Sequence, residues 1–156
     1  KLVFRLANAP DDVRASARRA QLTRADFASL LYWLLPEVRT AQGGTPRIAS
    51  DILDHPAREA IMRVVNHGLL RVDEARHLFE PDRPVRRGEA LRALLTSPGT
   101  GGARACAAAT GGDPCQGALA CGLLAEAGEC LPSAPLSGRE AVDWIRRVPE
   151  SADNAR

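Results

Sequence analysis

The chain has 156 residues, of which 45% are hydrophobic and only 4% aromatic. That is enough for one globular domain or a few small repeats sharing a core, and it excludes disorder throughout. A net charge of +2 gives no general attraction to nucleic acid, and the longest apolar run, Leu30-Leu31-Tyr32-Trp33-Leu34-Leu35, falls far short of the ~20 residues of a membrane span. The charge is unevenly spread. Residues 1–104 carry 17 basic and 12 acidic residues, whereas residues 105–156 carry 4 and 7. With Met62 as the sole methionine, the expectation is that Lys1 begins a processed product or a fragment.

Residues 1–21 read as a helical lead-in, with Val13, Ala17 and Ala20 on one face of a short helix over residues 11–20. Residues 22–40 open with Leu22-Thr23-Arg24-Ala25-Asp26 and continue with Phe27, Leu30, Leu31 and Leu34 at helical spacing. Thr23 and Asp26 have the spacing of a capping box. Residues 46–97 begin with Ser50-Asp51-Ile52 and a helix over 56–67 carrying Ala57, Ala60, Ile61, Val64 and Val65. Gly68 is the expected stop of that helix. Leu69-Leu70, a polar loop and the extended Phe79-Glu80-Pro81 follow. Val85-Arg86-Arg87-Gly88-Glu89 then starts a second motif helix with Ala90, Leu91, Leu94 and Leu95 on its apolar stripe. Here Arg86 takes the cap position and only Glu89 remains of the box.

Residues 98–113 are Gly-rich and read as a linker. No Lys-Ser/Thr follows them, so they have no phosphate-cradling pattern. Residues 114–149 repeat the unit in shorter form: Ala118-Leu119-Ala120-Cys121, Gly122, Leu123-Leu124, then Cys130-Leu131-Pro132 and a third motif helix from Leu136-Ser137-Gly138-Arg139-Glu140. Ser137 and Glu140 are again spaced as a capping box, and Ala141, Val142, Ile145 and Val148 form the stripe. Residues 150–156 are a tail. The fold class expected is all-α, with three motif helices gathered centrally and the preceding helices and loops as peripheral arms.

All four cysteines, Cys106, Cys115, Cys121 and Cys130, fall within one short stretch, and no C-x-x-C motif is present. An even, clustered set predicts two disulfides and an extracytoplasmic location, against the alternative of four buried free thiols. Three pairings are open. Cys106–Cys115 with Cys121–Cys130 is the expected one, because each link closes a short Gly-containing loop. Asp51, Asp54, His55 and His67 match no metal-ligand spacing. No nucleophile elbow is present. The chain reads as a non-enzyme without cofactor or metal.

The order Asp51-Ile52, His55-Pro56-Ala57, Gly68-Leu69, Phe79-Glu80-Pro81 and Val85-Arg86-Arg87-Gly88-Glu89 resembles the S-layer homology (SLH) domain, over about residues 22–148. Pro56 stands where that family usually has Trp, and Gly138 where a third motif Arg would be, with Arg139 shifted by one. The resemblance implies a non-catalytic cell-envelope anchor that binds acidic cell-wall polysaccharide through Arg24, Arg87 and Asp51. The alternative is a structural protein–protein or self-associating module of an envelope assembly that has lost glycan binding. Helix N-termini present free N–H groups to anions, so Arg24 and Arg87, each just inside one, are expected to complete small anion sites.

Overall fold

A computed structural model describes residues 6–41, 44–47, 49–97 and 111–154, with side chains described as far as residue 148. Among these residues there are seven α-helices and no strand: α1 (Asp11–Ser16), α2 (Arg24–Leu34), α3 (Pro36–Thr40), α4 (Arg58–Asn66), α5 (Arg87–Thr96), α6 (Pro114–Ala120) and α7 (Gly138–Asn154). The fold is all-α. The expected long helix of residues 22–40 is divided, because Leu35 is extended and Pro36 takes the first position of α3. Proline has no N–H to continue the ladder of α2. The lead-in helix ends at Ser16, four residues before its expected end at Ala20.

Local sequence explains most boundaries. Thr23 Oγ1 accepts the Asp26 N–H at 3.1 Å and the Asp26 carboxylate accepts the Thr23 N–H at 3.0 Å, a full capping box at α2. At α5 only the Glu89 half is present, with Glu89 Oε1 accepting the Arg86 N–H at 3.0 Å. At α7, Ser137 Oγ accepts the Glu140 N–H at 3.2 Å, and its hydroxyl donates to Glu140 Oε1 at 3.1 Å. Gly68 and Gly122 follow α4 and α6 at φ +74° and +77°. The amides after them reach back to Val64 O at 3.0 Å and Ala118 O at 2.8 Å, closing both helices in the same way.

The three motifs meet at their first residues. Leu22, Val85 and Leu136 are all fully buried; Leu22 N donates to Leu136 O at 2.9 Å and Val85 N to Leu22 O at 3.0 Å. From this point α7 packs against both α2 and α5, while α4 packs on α2 and α6 on α5. Each arm helix therefore lies on the motif helix that precedes it in the chain. Leu30, Leu31, Leu34, Ile61, Val64, Val65, Leu94, Leu95, Val142 and Ile145 are buried in one continuous core.

The cysteine pairing differs from expectation. Cys115, in the first turn of α6, is bonded to Cys130, with Cα atoms 5.7 Å apart. Cys121 is also disulfide-bonded, and Cys106 lies outside the described residues. The expected Cys121–Cys130 and Cys106–Cys115 links are both ruled out by this bond. Short loops were the wrong criterion: the bond ties the start of the arm helix to the loop that follows it, across a separation of 15 residues. Closing a loop of that length contributes roughly 3 kcal/mol through the unfolded chain.

Candidate functional site: an arginine-lined cleft

Arg24 and Arg87 occupy equivalent places in α2 and α5, and both are buried, at 2% and 6% exposure. Every guanidinium nitrogen has a partner within the chain. Arg24 Nε donates to Phe79 O at 2.9 Å, Nη1 pairs with Glu89, and Nη2 donates to Arg71 O. Its guanidinium lies over the Phe79 ring, 4.5 Å from the centroid. Arg87 repeats the scheme one unit later. Nε donates to Cys130 O at 3.0 Å, Nη1 pairs with Glu140, Nη2 donates to Glu129 O, and the group lies 4.8 Å over Trp144. Each arginine thus joins one motif helix to the glutamate that begins the next.

The helix N-termini beside them are also occupied. Arg24 N and Ala25 N donate to Arg83 O and Pro81 O at 2.9 and 3.0 Å. Arg87 N and Gly88 N donate to Ala134 O and Pro132 O, both at 2.9 Å. The free donors expected there for an anion are used by the Pro-containing segments, so no anion site forms at either helix start. Asp51 is likewise employed internally: its two carboxylate oxygens accept the Phe79 and Glu80 N–H groups, each at 2.8 Å, and hold Glu80 at φ +60°. His55 Nδ1 accepts the Ala57 N–H at 3.0 Å, a local turn contact. No three potential metal ligands are brought together among the described residues.

Gly138, at the position of the missing third arginine, has a steric cause. A Cβ there would lie 2.1 Å from Ser16 O and 2.8 Å from Ala17 Cα. The chain after α1 runs across the start of α7, and Gly138 N donates to Arg19 O at 2.9 Å.

A cleft of roughly 490 Å³ opens above Arg24, with Arg71, Arg76, Arg83 and Arg92 on its walls together with Asp73, Glu80 and Glu89. Five arginines face three carboxylates. Arg76 is held by Asp73 at 2.8 Å and Glu80 at 3.4 Å. Arg83 lies 2.9 Å from Glu80 and 3.6 Å from Glu89. The guanidiniums of Arg71 and Arg92 form no hydrogen bond or ion pair among the described residues. Partial burial, followed by the nearby charge of Arg71, lowers the Arg92 pKa from its ordinary value, against a weaker pull from Glu89. Two like charges thus face one opening, where an anion would relieve both.

The corresponding positions of the following unit carry no such cations. By the repeat alignment Ala125 replaces Arg71, Ala134 replaces Arg83, and Asp143 replaces Arg92. The pairing of a buried arginine with a glutamate is therefore common to both units, and the unpaired cations belong to one. Sequence reasoning missed Arg71 and Arg92 because it followed the motif positions; the excess of positive charge in residues 1–104 was the available signal. No known family model matches the chain, and no curated protein matches it.

Proposed function

We propose that the chain is an SLH-type module without catalytic activity that attaches to the cell envelope by binding an acidic cell-wall polysaccharide in the arginine-lined cleft. The observation that carries this reading is the pair of unpaired cations, Arg71 and Arg92, facing one opening. The guanidinium fork suits carboxylate and phosphate substituents of a glycan. Arg24 lies beneath as a fixed floor, its nitrogens already engaged. The repeated arm-and-motif organisation supports the SLH assignment, and the disulfide fits an extracytoplasmic setting.

The second reading is a structural module that joins envelope proteins or copies of itself. It draws on the saturation of Arg24, Arg87 and Asp51 by internal partners. Cosedimentation with purified cell-wall sacculi separates the two, before and after their attached polysaccharide is stripped. Glycan binding predicts retention that disappears on stripping and weakens with added salt. Retention that survives stripping, or no retention at all, favours the structural module.

A further inference from the structure

The loop that receives each buried arginine is pinned in two different ways. In the first unit, Asp51 holds Phe79 and Glu80 by their N–H groups, and Phe79 O receives Arg24 Nε. In the next unit the residue equivalent to Phe79 is Cys130, whose carbonyl receives Arg87 Nε. Both loops turn at the following residue with positive φ, +60° at Glu80 and +40° at Leu131. Cys115 comes from the first turn of the arm helix α6, and its bond ties the Cys130 side chain to that helix, while the Cys130 N–H donates to Ala127 O at 3.2 Å. A covalent bond thus anchors the arginine-receiving loop of the second unit, where the first unit uses a carboxylate.

We infer that the Cys115–Cys130 disulfide is a redox-sensitive latch that seats Arg87 between Trp144 and Glu140. Opening it takes a dithiol reductant. One reductant thiolate attacks Cys115 Sγ, which lies on the partly exposed Cys115, and expels the Cys130 thiolate. The second reductant thiol then resolves the mixed disulfide. The protein gains two electrons and two protons, and the reductant leaves as its own disulfide. With Cys130 released, the carbonyls of Glu129 and Cys130 no longer hold Arg87, and the guanidinium leaves the Trp144 ring. The Arg24 seat does not respond, because Asp51 holds it without sulfur.

The chain has two tryptophans, Trp33 and Trp144, so each can be observed alone. In a Trp33→Phe background, combined Cys115→Ser and Cys130→Ser substitution should shift Trp144 emission to the red, remove its near-UV dichroism and raise its quenching by acrylamide. In a Trp144→Phe background the same change should leave Trp33 unaltered. Dithiol treatment of the intact single-tryptophan proteins also opens the Cys121 bond, so it is read beside the same treatment of the Cys115→Ser/Cys130→Ser protein, in which Trp144 should show no further change. Asp51→Ala should leave Trp144 as it was. An unchanged Trp144 signal after the Cys115–Cys130 bond is opened would overturn the latch. So would simultaneous loss of the Trp33 and Trp144 signals, which would show that the bond supports the whole fold rather than one seat.

Discussion

Arg87 and Glu140 show how position in the fold, more than residue type, decides what a charge does. Burial by itself would raise the Glu140 carboxyl, but the hydrogen bond and charge of Arg87, with the Ser137 contacts, hold it below the ordinary carboxylate value. A depressed folded-state pKa contributes stability above the unfolded value, and that contribution is lost as pH falls through the folded one. Stability should therefore decline below about pH 4, with the ordinary glutamate near 4.3 as the upper edge. Glu140→Gln should flatten that part of the decline in urea melts recorded across pH. Arg24 is more deeply enclosed. Removing it leaves Glu89 beside an emptied seat, a change that costs about 3–5 kcal/mol for a buried pair. Arg24→Ala should lower the urea midpoint strongly, and Arg24→Lys should recover only part of the loss, because one ammonium cannot replace three directed nitrogens. A fall in glycan binding by either variant would reflect this damage, so Arg24 is unsuited to testing the cleft.

At the scale of elements, the motif helices were legible because their signals are local. Apolar spacing marks the buried face of α2, α4, α5 and α7, and Leu34→Ala should cost about 2–5 kcal/mol, measurable by chemical denaturation. The capping residues and the glycines after α4 and α6 act within one turn, so their roles could be read from neighbours in sequence. What the sequence did not disclose depends on segments brought together from afar. The carbonyls of Pro81, Arg83, Pro132 and Ala134 reach helix starts far away in sequence, and no local pattern announces them. The Cys115–Cys130 pairing follows from where α6 lies, which loop length could not reveal. Gly138 is the sharpest instance. Read along the chain it is a missing arginine, but in the fold it is the residue that lets Ser16 and Ala17 pass. Gly138→Ala should destabilise by about 1–3 kcal/mol, as overpacking does, in the same denaturation assay.

For the whole molecule, two parts of the chain share one construction and differ in the charge around it. Two units use the same pairing of a buried arginine with a glutamate to hold one motif helix to the next. Only one of these two surrounds the pair with further arginines, and it lies within residues 1–104, where positive charge is in excess. The candidate binding residues are therefore the unpaired Arg71 and Arg92, outside the motif itself. Arg71 is exposed and Arg92 half-buried on α5, and neither guanidinium is tied to a partner among the described residues, so substitution should leave the core intact. Losing one charge-assisted contact costs roughly 1.5–3 kcal/mol. The most direct test is the amount of Arg71→Ala/Arg92→Ala protein retained by intact sacculi at low salt, beside the unaltered chain and with urea midpoints measured for both. The account predicts equal midpoints and a loss of retention of at least tenfold, the factor that corresponds to about 1.4 kcal/mol. Equal midpoints with undiminished retention would contradict it.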